Sequence, residues 1–436
     1  MKRPDPTVPA GMTRRNALCR VAWAAAAPLI LPSRVLGRAG LVPPSERITF
    51  GMIGTGGQMG GHLGAMLGNP GTKVLAVCDV HTGRREAARQ RAENHYAKEK
   101  EAGTYRGCDA YNEYERIIER SDIDAVFIAT PDHWHVAMAL AAIRAGKDVY
   151  VEKPMTLTVK EGRLLSDAAR RYGRVVQVGS QQRSEWAFRK AAEIVRNGWL
   201  GKIHTIYARL GDFGPPTLRP EQPIPEGFDY DRWLGPTPWV PYNDERVKGS
   251  YGGGWRCYWE YGARKNGDWG AHHYDIIQWA LGKDDSGPTY FFPKGHEGKE
   301  QQGYRYENGP TIFRDHPSPT GQMIDFIGDR GSLGVSRGGV LVTTPAELRD
   351  QLLKPEEQHL YKSTSHQGNF LECIRSRAQP ICHAEIGHRT STVCHLSAIS
   401  ERLQRVIRWD PIKEAILGDA EAARWLDRPR RAPYTL

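Results

Sequence analysis

Cysteine is sparse: seven among 436 residues, and no two stand in a C-x-x-C pair. That spacing argues against thiolate zinc sites and thioredoxin-type redox chemistry. Apart from Cys19, the cysteines (Cys78, Cys108, Cys257, Cys373, Cys382 and Cys394) are expected as core thiols. A disulfide is the alternative in an oxidising compartment. Long apolar runs are also missing. The Ala-rich run at residues 21–31 falls short of the ~20 apolar residues that a membrane-spanning helix needs. No membrane span is therefore expected in the mature chain. No basic stretch is interleaved with aromatics, which argues against a nucleic-acid partner. There is no internal repeat and no low-complexity segment. The net charge of +10 misleads, because residues 1–39 hold seven Lys or Arg against one Asp, leaving about +4 elsewhere. Apolar content of 39% and charged content of 25% fit a globular chain, and the length suffices for two domains.

The N-terminal charge has a pattern. Arg14 and Arg15 are adjacent, the apolar run follows, and "PSRVLGRAG" offers a cut after Gly37 or Ala39. A basic head, an apolar core and a small-residue cut make a secretory signal, and the arginine pair points to the twin-arginine branch. The expectation is a signal peptide over 1–39 and a periplasmic protein. A frayed or membrane-touching N-terminus is the alternative.

From Ile48, short β-rich runs alternate with helical stretches. "ITFGMIG", "TKVLAVCDV", "DAVFIAT", "DVYVEKP" and "VVQVGSQ" read as strands. Between them lie a Gly-rich helix, the long polar "GRREAARQRAENHYAKEKEAG", "HVAMALAAIRAG" and "VKEGRLLSDAARRYG". Such alternation predicts crossover units and a parallel sheet, a Rossmann dinucleotide-binding domain over 47–182. Residues 183–436 read as an α+β domain with an open, mainly antiparallel sheet. Its late helices are "GNFLECIRSR" and "GHRTSTVCHLSAISERLQRVI".

Gly54, Gly56, Gly57 and Gly60 follow the first strand and open a helix. Such a turn lets backbone N–H groups approach a pyrophosphate. Met59 stands where the usual third glycine falls. Asp79 ends the next strand about 20 residues on, where an acid binds the adenosine ribose. A carboxylate there repels a 2′-phosphate, so NAD(H) is the expected cofactor. Arg84 and Arg85 keep NADP(H) as the alternative.

"ATPDHWH", "AGKDVYVEKP" and "GDWGAHHYD" resemble motifs of the Gfo/Idh/MocA oxidoreductases, and the likeness covers almost everything after the leader. The resemblance implies an NAD(P)-dependent enzyme acting on a hydroxyl of a sugar, glycoside or cyclitol. It implies cofactor contacts at Thr130, Pro131, His135, Glu152 and Lys153. It places Lys153, Asp268 and His272 in catalysis, with Asp275 as a further acid, and implies no metal. Departures are Met59, Asp132 where Asn is common, and "YGARKNGDWG" where a plainer Gly run is usual. Family likeness also implies a homodimer or homotetramer.

The residues agree with that chemistry. Oxidising a carbinol needs a base for the hydroxyl proton, and Lys153 ends a parallel strand, where such sheets bind ligands. Asp268, His272 and Asp275 fall at i, i+4 and i+7, on one helix face. Their bland alternative is an N-cap aspartate and a core histidine. Six of the twelve tryptophans, Trp255 and Trp259 among them, lie between Trp233 and Trp279, with Tyr242, Tyr251, Tyr258 and Tyr261. They predict a carbohydrate subsite or, equally, packing or an interface. An exported enzyme finds little free NAD, so tight retention and internal recycling of the cofactor are expected. Two rivals stand beside this reading: redox-neutral glycoside cleavage by oxidation, elimination, hydration and reduction, and a non-catalytic nucleotide sensor.

Overall fold

Strands β1 (Ile48–Ile53), β2 (Thr72–Cys78), β3 (Asp109–Tyr111), β4 (Ala125–Ile128), β5 (Asp148–Val151) and β6 (Val176–Val178) form one sheet. Its order is β3-β2-β1-β4-β5-β6 and every pairing is parallel. Parallel neighbours need crossovers. Helices α1 (Gly57–Leu67), α2 (Thr82–His95), α3 (His135–Arg144) and α4 (Val159–Arg171) supply four of the five, and a short helix at Glu115–Ile118 lies between β3 and β4. With both faces covered, β4, β5 and β6 are buried along their whole length, which explains their near-continuous apolar runs. The strand order turns at β1 and β4, and such sheets bind ligands beyond the C-terminal ends of those strands. This computed structural model describes residues 43, 46–249 and 252–436. The leader over 1–39, with Arg14, Arg15 and Cys19, and also Tyr251, lie outside the described residues.

The second sheet holds β7 (Ile203–Ala208), β8 (Tyr290–Phe292), β9 (Gly303–Arg305), β10 (Thr311–Arg314), β11 (Ile324–Gly328), β12 (Ser332–Ser336), β13 (Val340–Thr344), β14 (Ile407–Asp410) and β15 (Ala415–Ile416). Its order is β13-β12-β11-β7-β10-β9-β8-β14-β15, antiparallel except for β7 with β10. Helices α5 (Trp186–Arg196), α6 (Arg264–Asp268) and α7 (Gly270–Leu281) follow in the chain, then α8 (His366–Ser376) and α9 (Ala384–Leu403). Residues of α5, α7 and α9 share a core with one face of this sheet. Exposure alternates along the edge strand β13, so the outer face of that strand is open. The fold is thus a Rossmann domain plus a mainly antiparallel α+β domain, as expected.

Ile48–Leu436 packs as one compact unit. Phe370, Leu371 and Cys373 of α8 return to the core of the first sheet, where Phe370 meets Phe50 and Phe127. Gly162 lets α9 approach α4, since a Cβ there would lie 2.3 Å from His388 Nδ1. Three details differ from the sequence reading. Strand β3 is only three residues long, too short to show a period. The long polar helix breaks at Tyr96, a buried ring with the Lys73 ammonium 3.7 Å from its centre. The last helix stops at Gln404 in a left-handed conformation (φ 53°), and Ile407 is already in β14. The six described cysteines are free thiols, five of them buried. No helix among the described residues is long and apolar enough to cross a membrane.

Candidate functional site

A cleft of about 270 Å³ opens beyond the C-terminal ends of β1, β4 and β5. Gly54, Gly56 and Gly57 form one wall, Asp79 and Arg84 another, and Thr130, Pro131 and Asp132 a third. Glu152, Lys153 and Asp268 close it, with Trp233, Trp255 and Arg256 at the far side.

The Gly-rich turn fits a dinucleotide. Gly54 sits at φ 83°, and a Cβ there would stand 2.7 Å from Thr130 Cγ2 and 2.9 Å from the Ala129 backbone. Gly56 and Gly57 meet nothing within 4 Å, so the backbone is open to close approach by a ligand. Gly60 lies inside α1, off the cleft lining, and its carbonyl accepts from Arg91 Nη1 at 2.8 Å. Met59 explains the odd spacing, since its side chain is buried in the core with Phe50 and Val77. Asp79 Oδ2 accepts from Thr55 N at 2.8 Å and Oδ1 from His81 N at 2.8 Å. A carboxylate has about four lone-pair sites, so capacity is left for ribose hydroxyls. Of the two arginines only Arg84 lines the cleft; Arg85 donates to the Asp79 carbonyl at 2.6 Å.

The turn after β5 is heavily anchored. Glu152 accepts from Gln58 (3.1 Å), Gln181 (2.9 Å) and the Lys153 N–H (3.1 Å), with His62 Nε2 at 2.8 Å. Burial alone would raise its pKa. The bond to His62 and the nearby positive charge bring it down to about 2. His135 is a bracket between two loops, with Nδ1 2.7 Å from the Pro154 carbonyl and Nε2 3.0 Å from that of Thr130. Both ring nitrogens are thereby engaged and the side chain does not line the cleft.

Lys153 Nζ reaches Asp268 Oδ1 at 2.8 Å and the Asp268 carbonyl at 3.1 Å. Asp268 also has Lys265 at 3.4 Å and Arg256 at 3.6 Å. Burial opposes ionisation, but Lys153 first, then Arg256 and Lys265, hold the carboxyl below its ordinary pKa. His272 is buried close by and off the cleft lining, with Nδ1 lacking a hydrogen-bond partner among the described residues. Burial, with Lys153 and Arg337 near, holds its pKa well below the ordinary value, so the ring is neutral.

The i, i+4, i+7 face is not shared in the folded chain. The helix is interrupted between α6 and α7 at Trp269, and Asp275 turns to Arg183 instead (2.8 Å and 2.9 Å) and to Thr390 (3.0 Å). Arg183 and Asp275 are each 1% exposed, so this is an internal ion pair with no path to substrate. Trp259 is also elsewhere, facing Trp425 and the Arg428 guanidinium in a separate cavity. Trp255 does line the cleft, and packs with Tyr230, Trp233, Tyr242, Tyr258 and Tyr261. The aromatic stretch therefore serves packing and, through Trp233 and Trp255, the cleft wall.

Sequence reasoning missed Asp132 as a site residue. It is 5% exposed and lines the cleft, and while its backbone carbonyl accepts from the His135 N–H, its carboxyl accepts no hydrogen bond from any described residue. Burial pushes its pKa up to about 8 against the pull of Arg256 and Lys153. Arg256 and Lys265 were missed as well; the signal was three cations within twelve residues before Asp268.

Two family models match. One, the oxidoreductase family's NAD-binding Rossmann fold, covers residues 48–180, and the other, its C-terminal alpha/beta domain, covers residues 212–436. Alpha-N-acetylgalactosaminidase of Shewanella oneidensis is 34% identical over 169 residues, 38% of this chain and 35% of that one. Glycosyl hydrolase family 109 protein 1 of Shewanella sp. strain ANA-3 is equally similar, so the match spans about a third of these relatives' length. Among solved structures, the WlbA dehydrogenase of Bordetella pertussis in complex with NADH and UDP-GlcNAcA has a TM-score of 0.56 at 18% identity, covering 84% of this chain and 99% of that one. The aldose-aldose oxidoreductase of Caulobacter crescentus has a TM-score of 0.54 at 18% identity, covering 83% and 99%. Residues 48–180 are an NAD-binding Rossmann domain.

Proposed function

The chain belongs to the Gfo/Idh/MocA oxidoreductase family, and on that premise we propose that it acts on a hydroxyl of a sugar, glycoside or cyclitol with NAD(H) held through turnover. The observation that carries this reading is the Lys153/Asp268 contact of 2.8 Å in the cleft that the Gly-rich turn lines. Bound NAD supplies the acceptor for a carbinol hydride. The chain supplies the acid/base group. Lys153 Nζ, as the neutral amine in this step, takes the hydroxyl proton, and Asp268, fixed by Lys265 and Arg256, steadies the ammonium so formed and accepts from a neighbouring hydroxyl. His272 acts from behind, as a neutral ring that supports this pair. Trp233 and Trp255 offer flat faces to the C–H side of a sugar ring. Asp79 disfavours a 2′-phosphate, so NAD(H) is preferred to NADP(H).

Export is part of the proposal and rests on Arg14, Arg15 and the run at residues 21–31. Outside the cytoplasm a diffusing nucleotide is scarce, so the protein must carry its own. The open outer face of the edge strand β13 suits a homo-oligomer. Denaturing the purified mature protein should release NAD(H), and turnover should leave the NADH absorbance of the solution flat. Nucleotide-free protein that makes stoichiometric NADH from added NAD+ refutes retention.

A second reading is favoured by the likeness to an alpha-N-acetylgalactosaminidase: redox-neutral glycoside cleavage. Its start is the same oxidation, and its product is a free sugar. A panel of glycosides and free sugars, read for cleavage and for oxidation, separates the two.

A further inference from the structure

The cleft holds two aspartates in opposite settings. Asp268 has three cations within 3.6 Å. The Asp132 carboxyl has no hydrogen-bond donor among the described residues, yet the residue is almost fully buried. Its carboxyl oxygens are not sealed in by packing; they open on the cleft. Its neighbours do the anchoring: His133 Nε2 lies 2.8 Å from the Trp233 carbonyl, and Trp134 Nε1 donates to that of Arg232 at 3.0 Å. They leave the Asp132 carboxyl facing the cleft. Space is kept around it by two glycines. A Cβ on Gly262 would stand 3.2 Å from Asp132 Oδ2, and one on Gly267 4.0 Å.

Resting on the glycoside-cleaving reading, we propose that Asp132 is the acid that protonates the departing glycosidic oxygen, and the base that later takes a proton from the entering water. Once NAD-linked oxidation has made C3 a ketone, the C2–H is acidic. The Asp268 carboxylate takes that proton, while Lys153 keeps the hydroxyl proton of the oxidation and returns it when C3 is reduced again, and the C2–H electron pair becomes the C1=C2 bond. The C1–O bond breaks, its pair stays on oxygen, and that oxygen receives the Asp132 proton. Water then adds to C1 and gives a proton to the Asp132 carboxylate, while C2 regains its own from the base. Electrons and protons balance without a further reactant.

The electrostatics suit these roles. Four charged groups act on Asp132: Arg256, Lys153 and Arg428 favour its carboxylate, and Asp268 opposes it. Burial outweighs them all, so the group is an acid near neutrality while Asp268 stays ionised. Two carboxyls with pKa values pushed apart in one site mark an acid and an anion.

The test offers the holoenzyme chemically prepared 3-keto forms of a methyl glycoside and a 4-nitrophenyl glycoside. Methoxide is a poor leaving group and needs a proton; nitrophenolate does not. Asp132→Asn should slow methanol release by at least ~10²-fold, the scale of a lost general acid, and nitrophenolate release by less than ~5-fold. Deuterium exchange at C2 in D2O should persist near the wild-type rate. Gly262→Ala, which crowds Oδ2 but keeps the acid, should show the same leaving-group dependence to a smaller degree. In the wild type, methanol release should fall above pH ~8 while nitrophenolate release does not. Equal losses on both leaving groups, or loss of C2 exchange with release, overturn the role of Asp132 and leave glycoside cleavage standing. A wild type that cleaves neither glycoside but oxidises free sugars overturns both.

Discussion

Asp132→Asn should stabilise the protein, and by an amount that grows with pH. The carboxyl is raised from 3.8 to about 8 in the folded chain, chiefly by burial. Below pH 4 both folded and unfolded chains hold the proton and there is no penalty. Between pH 4 and pH 8 the folded chain holds it and the unfolded chain does not. Stability then falls as pH rises, by ~1.4 kcal/mol per unit. Above pH 8 the loss levels off. Asparagine has the same shape and does not titrate, so it escapes this loss. The advantage of the variant over wild type should therefore grow by about 2 to 3 kcal/mol between pH 5 and pH 7. Urea unfolding of both proteins at the two pH values, with nucleotide and ionic strength held constant, measures it. Titrating groups that do not interact with Asp132 cancel in the difference. An advantage that is the same at both pH values would mean that Asp132 ionises normally in the fold. A wild type that gains on the variant as pH rises would mean that the carboxylate is paired. Either result removes the basis for an acid at this position.

Lys153→Met should lower turnover by at least ~10²-fold with nucleotide affinity within a few-fold, by steady-state kinetics and fluorescence titration. The fold should survive, because Asp268 keeps Lys265 and Arg256. Asp79→Asn removes the charge but leaves an acceptor for Thr55. It should weaken NAD(H) binding and narrow the preference over NADP(H), measured by titration with both nucleotides. Arg183→Met strands the Asp275 carboxyl in the core with Thr390 as its remaining donor, and should cost ~3–5 kcal/mol in chemical denaturation. Changing Arg14 and Arg15 together to Lys should leave a folded, leader-bearing precursor in the cytoplasm; a normal periplasmic yield on cell fractionation would refute the twin-arginine route.

Elements with a period were legible in the sequence. The apolar runs of β1, β2, β4 and β5 mark a buried parallel sheet, and along β13 the exposure alternates. Strand β3 carries no such mark, since three residues are one and a half periods and its pairing with β2 defines it. The site divides in the same way. Lys153 and Asp268 stand in local motifs, and the fold brings them together across 115 residues. Asp275 has the right spacing for the same face, but its partner is Arg183, 92 residues away in sequence, and no spacing rule reveals which charge captures which. Trp259 was taken in the same manner by Trp425 and Arg428. Asp132 is the harder case. Its character depends on what fails to reach it: two glycines with no side chain to offer, and cations committed to Asp268. A motif shows where charged residues converge. Which of two aspartates keeps its proton depends on the partners each acquires, and those are assigned only when distant segments pack.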